Sequence, residues 1–124
     1  MEELLAEKRI PCSVQVSLEV IGGKWKAVIA FYLLRGTMRF SELRREMPGI
    51  TQRMLTLQLR ELERCGVVER TVYAEVPPRV EYALTPFGES LRPLLAQMYS
   101  WGKQYRRRVL ALNSPRNARV GERG

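Results

Sequence analysis

The sequence predicts an α+β fold: a winged helix-turn-helix with a three-helix core and a two- or three-stranded wing sheet, followed by a long C-terminal dimerisation helix. Three observations carry this expectation. Residues 40–66, FSELRREMPGITQRMLTLQLRELERCG, read as a short helix, a tight Pro-Gly turn and a longer helix with an apolar stripe on one side and arginines on the other. Residues 67–85 then change to period-two alternation around a double proline, a hairpin pattern. Residues 87–112 repeat apolar side chains at near-heptad spacing, a seam longer than one small core can cover.

Taken in order, residues 1–11 form an N-terminal arm with a short amphipathic turn around Leu4 and Leu5, interrupted at Pro11. Ser13 is suited to cap a helix running to about Ile21, ended by Gly22-Gly23. Val14, Leu18 and Ile21 share one side of it, and Val16 and Val20 lie nearly opposite at about 100° per residue. Two apolar sides require burial on two sides: within one core, or with the Val16/Val20 side against a second subunit. Lys24 to Arg35, KWKAVIAFYLLR, is apolar nearly all round after Lys26 and is read as the central buried helix, with Trp25 and Phe31 in the core and Gly36 as the stop. Met38-Arg39-Phe40 suits a small edge strand.

Ser41 is a good N-cap for SELRREM, whose Leu43 and Met47 face inward while Arg44 and Arg45 point away. Pro48-Gly49-Ile50 makes the turn, and Thr51 caps the next helix with its oxygen on the Met54 amide. In that helix Leu55, Leu59 and Leu62 form the inward stripe. Arg53, Leu57, Arg60 and Arg64 project on the far side, with Gln52 and Thr56 along one edge. Such a pattern is most often a solvated charged face. This mix, with Glu61 and Glu63 displaced, also suits base edges: arginine on guanine, glutamine on adenine, Leu57 against a thymine methyl. The expected base-reading set is Thr51, Gln52, Arg53, Thr56, Leu57 and Arg60. The expected phosphate contacts are Arg39, Ser41, Arg44, Arg45 and Arg64. Gly66 closes the helix.

VVERTVY and RVEYALT are two strands, with Val80, Tyr82 and Leu84 alternating with Arg79, Glu81 and Ala83. The double proline at 77–78 stiffens the tip and blocks edge pairing. Arg79 is placed to touch phosphate or minor groove, or else pairs with Glu75 or Glu81. Thr85-Pro86 starts the last helix, with Thr as cap and Pro at the first position. Its seam runs Phe87, Leu91, Leu94, Met98, Trp101, Tyr105, Val109 and Leu112, with Gly102 a weak point. Part of this seam, including Leu94, Met98, Trp101 and Tyr105, is expected in a homodimer interface together with Val16 and Val20. Cys65 is read as buried packing at a helix end.

Composition sets limits. At 124 residues, 45% apolar and 27% charged, the chain suits one globular domain, residues 12–112, between the arm and a disordered basic tail at 113–124. The longest fully apolar run, Ala27 to Leu34, is too short to span a bilayer, and the acidic N-terminus has no signal-peptide core, so no membrane partner and a cytoplasmic location are expected. The net charge of +8 is unevenly placed: residues 103–124 hold 7 Lys and Arg against 1 Glu, and residues 1–102 hold 14 against 12. The high pI therefore says little, and arginine placement carries the argument. There is no His and no Asp, two cysteines cannot build a four-ligand zinc site, and no Gly-rich phosphate loop occurs. No metal, cofactor, catalytic residue or enzyme activity is expected.

Cys12-Ser13-Val14, IGGKW at 21–25, RFSELRREMPGIT at 39–51, LRELERCGVVERTVY at 59–73, EVPPRVEYALTPFG at 75–88 and Trp101-Gly102 together resemble the HxlR-type family of bacterial winged-helix transcriptional regulators, within the MarR-like group. The resemblance covers about residues 12–102. It implies a DNA-binding homodimer, often a repressor of neighbouring genes, paired through the first and last helices. Some members of the family resembled sense electrophiles or oxidants through an N-terminal cysteine, and Cys12 matches that position. The amide dipoles of the following helix, with Lys8 and Arg9, would surround it with positive potential. Leu57 and Gln58 depart from the family pattern, which implies an individual operator. The expected function is a sequence-specific regulator of a pseudo-palindromic double-stranded operator, a dimeric repressor open to a small-molecule or oxidant effector through Cys12. A non-specific architectural or RNA-binding protein driven by the basic tail is the alternative.

Overall fold

The computed structural model describes residues 12–112, so the expected arm, the basic tail, Lys8 and Arg9 lie outside the described residues. The chain order is α1 (Ser13–Ile21), α2 (Lys26–Leu33), β1 (Met38–Arg39), α3 (Phe40–Glu46), α4 (Gln52–Arg64), β2 (Val68–Tyr73), β3 (Arg79–Leu84), α5 (Pro86–Glu89), α6 (Arg92–Gln104) and α7 (Arg106–Leu112). The three strands form one antiparallel sheet in the order β1-β3-β2.

The core is built by the predicted stripes. Ile29 and Leu33 of α2, Leu43 and Met47 around α3, and Leu55, Leu59 and Leu62 of α4 are buried with Ile50, Val67 and Val68. Each such side chain removed from water contributes about 1.5–3 kcal/mol. The turn between α3 and α4 needs Gly49, whose φ of 91° is costly for any residue with a Cβ. The register Val68↔Leu84, Arg70↔Tyr82, Val72↔Val80 puts these residues on the sheet face shared with the core. Tyr73↔Arg79 and Thr71↔Glu81 take the opposite face.

The wing returns to the end of α4 through a fixed junction. The Thr85 amide donates to the Val67 carbonyl at 3.0 Å, the Thr85 hydroxyl donates to the Gly66 carbonyl, and the Gly88 amide donates to Thr85 Oγ1 at 3.0 Å. A Cβ at Gly88 would stand 2.1 Å from the Val67 carbonyl oxygen, so only glycine permits this approach.

Several expectations need correcting. Cys12, not Ser13, occupies the cap position of α1, its amide donating to Gln15 Oε1 at 2.9 Å. Ser41 does not cap α3: the helix starts at Phe40, and the Arg39 amide donates to Glu42 Oε1 at 2.9 Å. Helix α2 is buried along one side only, through Ile29, Ala30 and Leu33, and Val28 is exposed. Val20 packs on the core beside buried Ile21, because both sit at the end of α1 that meets α2; the outward apolar residues of α1 are Val14, Val16 and Leu18.

The single last helix is three pieces. Pro93 has no N–H to donate to the Glu89 carbonyl, so the first turn ends as α5 and a new helix starts at Arg92. The Arg92 guanidinium bridges Glu89 at 2.9 Å and the Leu34 carbonyl at 3.1 Å. At Tyr105 the interruption is slight, since the Tyr105 and Val109 amides still donate to Trp101 and Tyr105 carbonyls at 3.0 Å. The chain falls into two compact units, divided between Arg92 and Pro93. In the second, Leu95 is the one buried residue among those described, and the expected seam missed it; Leu94, Met98, Trp101 and Tyr105 are exposed.

Candidate nucleic-acid interface

Helix α4 is held on three sides. Thr51 Oγ1 accepts the Met54 amide at 3.0 Å, as its sequence position predicts. The Leu55, Leu59 and Leu62 stripe is almost wholly enclosed. Lys26 Nζ on α2 meets Glu61 Oε2 at 2.7 Å. The hydrogen bond and charge of Lys26 hold the Glu61 carboxyl below the usual carboxylate range, with a smaller contribution from Arg64. This ion pair ties α4 to α2 and engages the carboxylate of Glu61 toward the C-terminal end of α4.

What α4 leaves outside is polar and cationic. Gln52, Arg53, Arg60 and Arg64 are exposed, and Leu57 stands 45% exposed among them. Arg53 and Arg60 have no hydrogen-bond or ion-pair partner among the described residues. Thr56 differs: it is half-buried and its hydroxyl donates to the Gln52 carbonyl at 2.8 Å, so that proton is already used. Thr51 likewise spends an oxygen lone pair on its cap.

The candidate phosphate residues divide. Ser41, Arg44 and Arg45 of α3 line one open groove of about 420 Å³ with Phe40 and Gln52, beside the start of α4. Arg39 lies elsewhere, cross-strand from Glu81 on the outer face of the sheet. Arg79 lies on that same outer face. Its guanidinium stacks 4.0 Å from the Tyr73 ring centre and reaches Glu75 Oε1 at 3.4 Å. The pairing with Glu75 is therefore the arrangement present, and a free wing cation at Arg79 is not. Sequence reasoning missed Arg70, which is exposed on the core-facing side of β2 and has no partner among the described residues. The alternation Val68-Arg70-Val72 was the signal available, because Val68 is a core residue.

Both cysteines are free and exposed. For Cys65 this corrects the expectation of packing: it follows Arg64 as the C-cap residue, past the last turn of the Leu stripe. No helix among the described residues is long and apolar enough to cross a membrane.

A helix-turn-helix with an exposed arginine face, followed at once by a β2–β3 hairpin that completes a three-stranded sheet with β1, defines a winged-helix transcriptional regulator. The chain belongs to the HxlR-like helix-turn-helix family, which it matches over residues 20–109. It is 52% identical over 107 residues to the HTH-type transcriptional regulator YdeP of Bacillus subtilis, covering 86% of this chain and 84% of the relative. The structure is similar to that of the redox regulator HypR in its reduced form, at 52% identity and TM-score 0.76 over 81% of this chain and 99% of that one. The oxidised form of HypR matches at 56% identity and TM-score 0.73, over 75% and 96%. The reduced transcriptional regulator YodB of B. subtilis is more distant, at 34% identity and TM-score 0.66 over 77% and 96%.

Proposed function

We propose that the protein is a homodimeric repressor in the cytoplasm that reads a pseudo-palindromic operator, with one α4 in the major groove of each half-site. The observation that carries this reading is the outer face of α4: Arg53, Leu57 and Arg60 stand free while Glu61 is engaged by Lys26. Arg53, Gln52, Leu57 and Arg60 offer base contacts, and Ser41, Arg44 and Arg45 offer a groove for backbone phosphate. Thr56 contributes its methyl group rather than its hydroxyl proton.

A second copy is supported by the apolar side chains left in water. Val14, Val16 and Leu18 on α1, and Leu94, Met98 and Trp101 on α6, are exposed to a degree unusual for a monomer. Two paired α4 helices would read half-sites about one helical turn apart, or a multiple of it. Selection from random duplexes followed by sequencing tests the whole reading. A palindromic enriched motif is the expected result, and the absence of any enriched motif overturns it. Deleting residues 113–124 separates the alternative: loss of all sequence-selective binding with the tail would favour a non-specific basic protein.

Thiol control is supported by the exposed Cys12 at the start of α1 and by the likeness to HypR, a redox regulator. Oxidation there would disturb the helix that carries Val14, Val16 and Leu18, and with it the spacing of two α4 helices. Diamide should release the wild-type protein from its operator and leave Cys12→Ser bound; equal responses would end this part of the reading.

A further inference from the structure

The wing has two arginines near its strands, and the sheet sends them to opposite faces. Arg79 shares its face with Tyr73 and Glu75, stacking on the first and pairing with the second through one terminal nitrogen, while its Nε has no partner among the described residues. Arg70 shares its face with Val68, whose side chain lies in the core, and therefore points to the side on which α4 packs. There it meets the edge of α4. Thr56, Leu59, Arg60 and Glu63 of that helix, with Arg70 and Tyr82 of the sheet, line one cleft of about 260 Å³. Arg60 and Arg70 are both unpaired among the described residues, and Arg60 also borders the outward face of α4.

We propose that Arg60 and Arg70 together hold one backbone phosphate of the bound duplex in this cleft, so that Arg70 is the cation through which the wing contacts DNA. The inference rests on the DNA-binding reading above and adds a residue and a position to it. Two guanidinium groups from different elements suit a phosphodiester, which presents two anionic oxygens to planar N–H donors. The Tyr82 phenol can donate to the same anion; the Thr56 hydroxyl proton is already spent on Gln52. Glu63 opposes binding, since it lines the same cleft and carries negative charge. A contact of this kind fixes how deeply and at what angle α4 enters the groove without reading sequence itself.

The test is a set of anisotropy titrations of the full chain on the selected operator and on a scrambled duplex, between about 50 and 200 mM salt. Arg70→Ala should weaken both by a similar factor, about tenfold, and lower the slope of log affinity against log salt by about one. Arg79→Ala should keep the wild-type slope. Glu63→Gln should tighten binding to both duplexes, which guards against reading an unfolded Arg70 variant as support. An unchanged slope for Arg70→Ala, or the full slope loss appearing in Arg79→Ala instead, overturns the assignment while the DNA-binding reading stands. Failure of Glu63→Gln to tighten binding also counts against it. If the wild-type chain binds neither duplex, both readings fall together.

Discussion

Helices α4 and α6 are each 13 residues long and both amphipathic, yet the fold treats them oppositely. Helix α4 hides all three of its stripe leucines and shows water a face of arginine, glutamine and one leucine. Helix α6 hides only Leu95, and leaves Leu94 at 40%, Met98 at 46% and Trp101 at 59% exposure. The first helix is complete as a structural element, and its free surface suits a charged polymer. The second keeps most of its apolar face in water, the surface that the proposed homodimer would cover. A sequence stripe therefore says that a helix has an apolar partner; the structure decides whether that partner belongs to the same chain.

The contrast can be broken at several points. The largest effect is expected for Leu59→Ala, which leaves a cavity in the core and should cost about 2–5 kcal/mol at any protein concentration, measured by urea denaturation. Next comes Trp101→Ala. If α6 is completed by a second copy, this change should weaken self-association by about 2 kcal/mol, as for an aromatic interface anchor, and lower thermal stability only in a concentration-dependent way. A concentration-independent loss in analytical ultracentrifugation and melting would make α6 an ordinary surface helix. Arg53→Ala should cost about 1–3 kcal/mol on the selected operator and relax its base preference. Equal losses on operator and scrambled duplex would reduce Arg53 to a phosphate contact.

The smallest effect concerns the tie behind α4. Because Lys26 holds the Glu61 carboxyl below its ordinary value of 4.5, the pair stabilises the fold above that value, and the benefit is lost as pH falls through the lowered one. Lys26→Met should therefore melt earlier than wild type at neutral pH, with the gap closing in acid. A gap independent of pH would assign the loss to packing of the Lys26 stem instead.

Elements governed by a short period were legible in the sequence. The spacing of Leu55, Leu59 and Leu62 fixes the buried side of α4, and alternation fixes β2 and β3 because one face of each must meet a core. Thr51 was legible as well, since a cap depends on three neighbouring residues. What escaped depends on partners distant in the chain or on a local signal outvoted by a longer one. The angle of Val20 on α1 leaves its own core and a second subunit open as partners, and its place at the helix end nearest α2 decides for the core. The near-heptad run concealed Pro93, although a missing amide is enough to end a turn. Arg79 drew attention as a cation at a wing, and only the strand register shows that Tyr73 and Glu75 share its face while Arg70 has the other. Cys65 follows a buried stripe in sequence but lies past its last turn.

The junction of Thr85, Gly88, Gly66 and Val67 has a mechanical consequence. It works as a rivet: the end of α4 and the beginning of α5 share one fixed point, held by the Thr85 amide and hydroxyl on the Val67 and Gly66 carbonyls and by a contact with no room for a methyl group. A short, fully bonded connection of this kind leaves no slack between α5 and the base of α4. Gly88→Ala would loosen that fastening without touching any arginine, uncoupling the pose of α4 from whatever pulls on the chain beyond it.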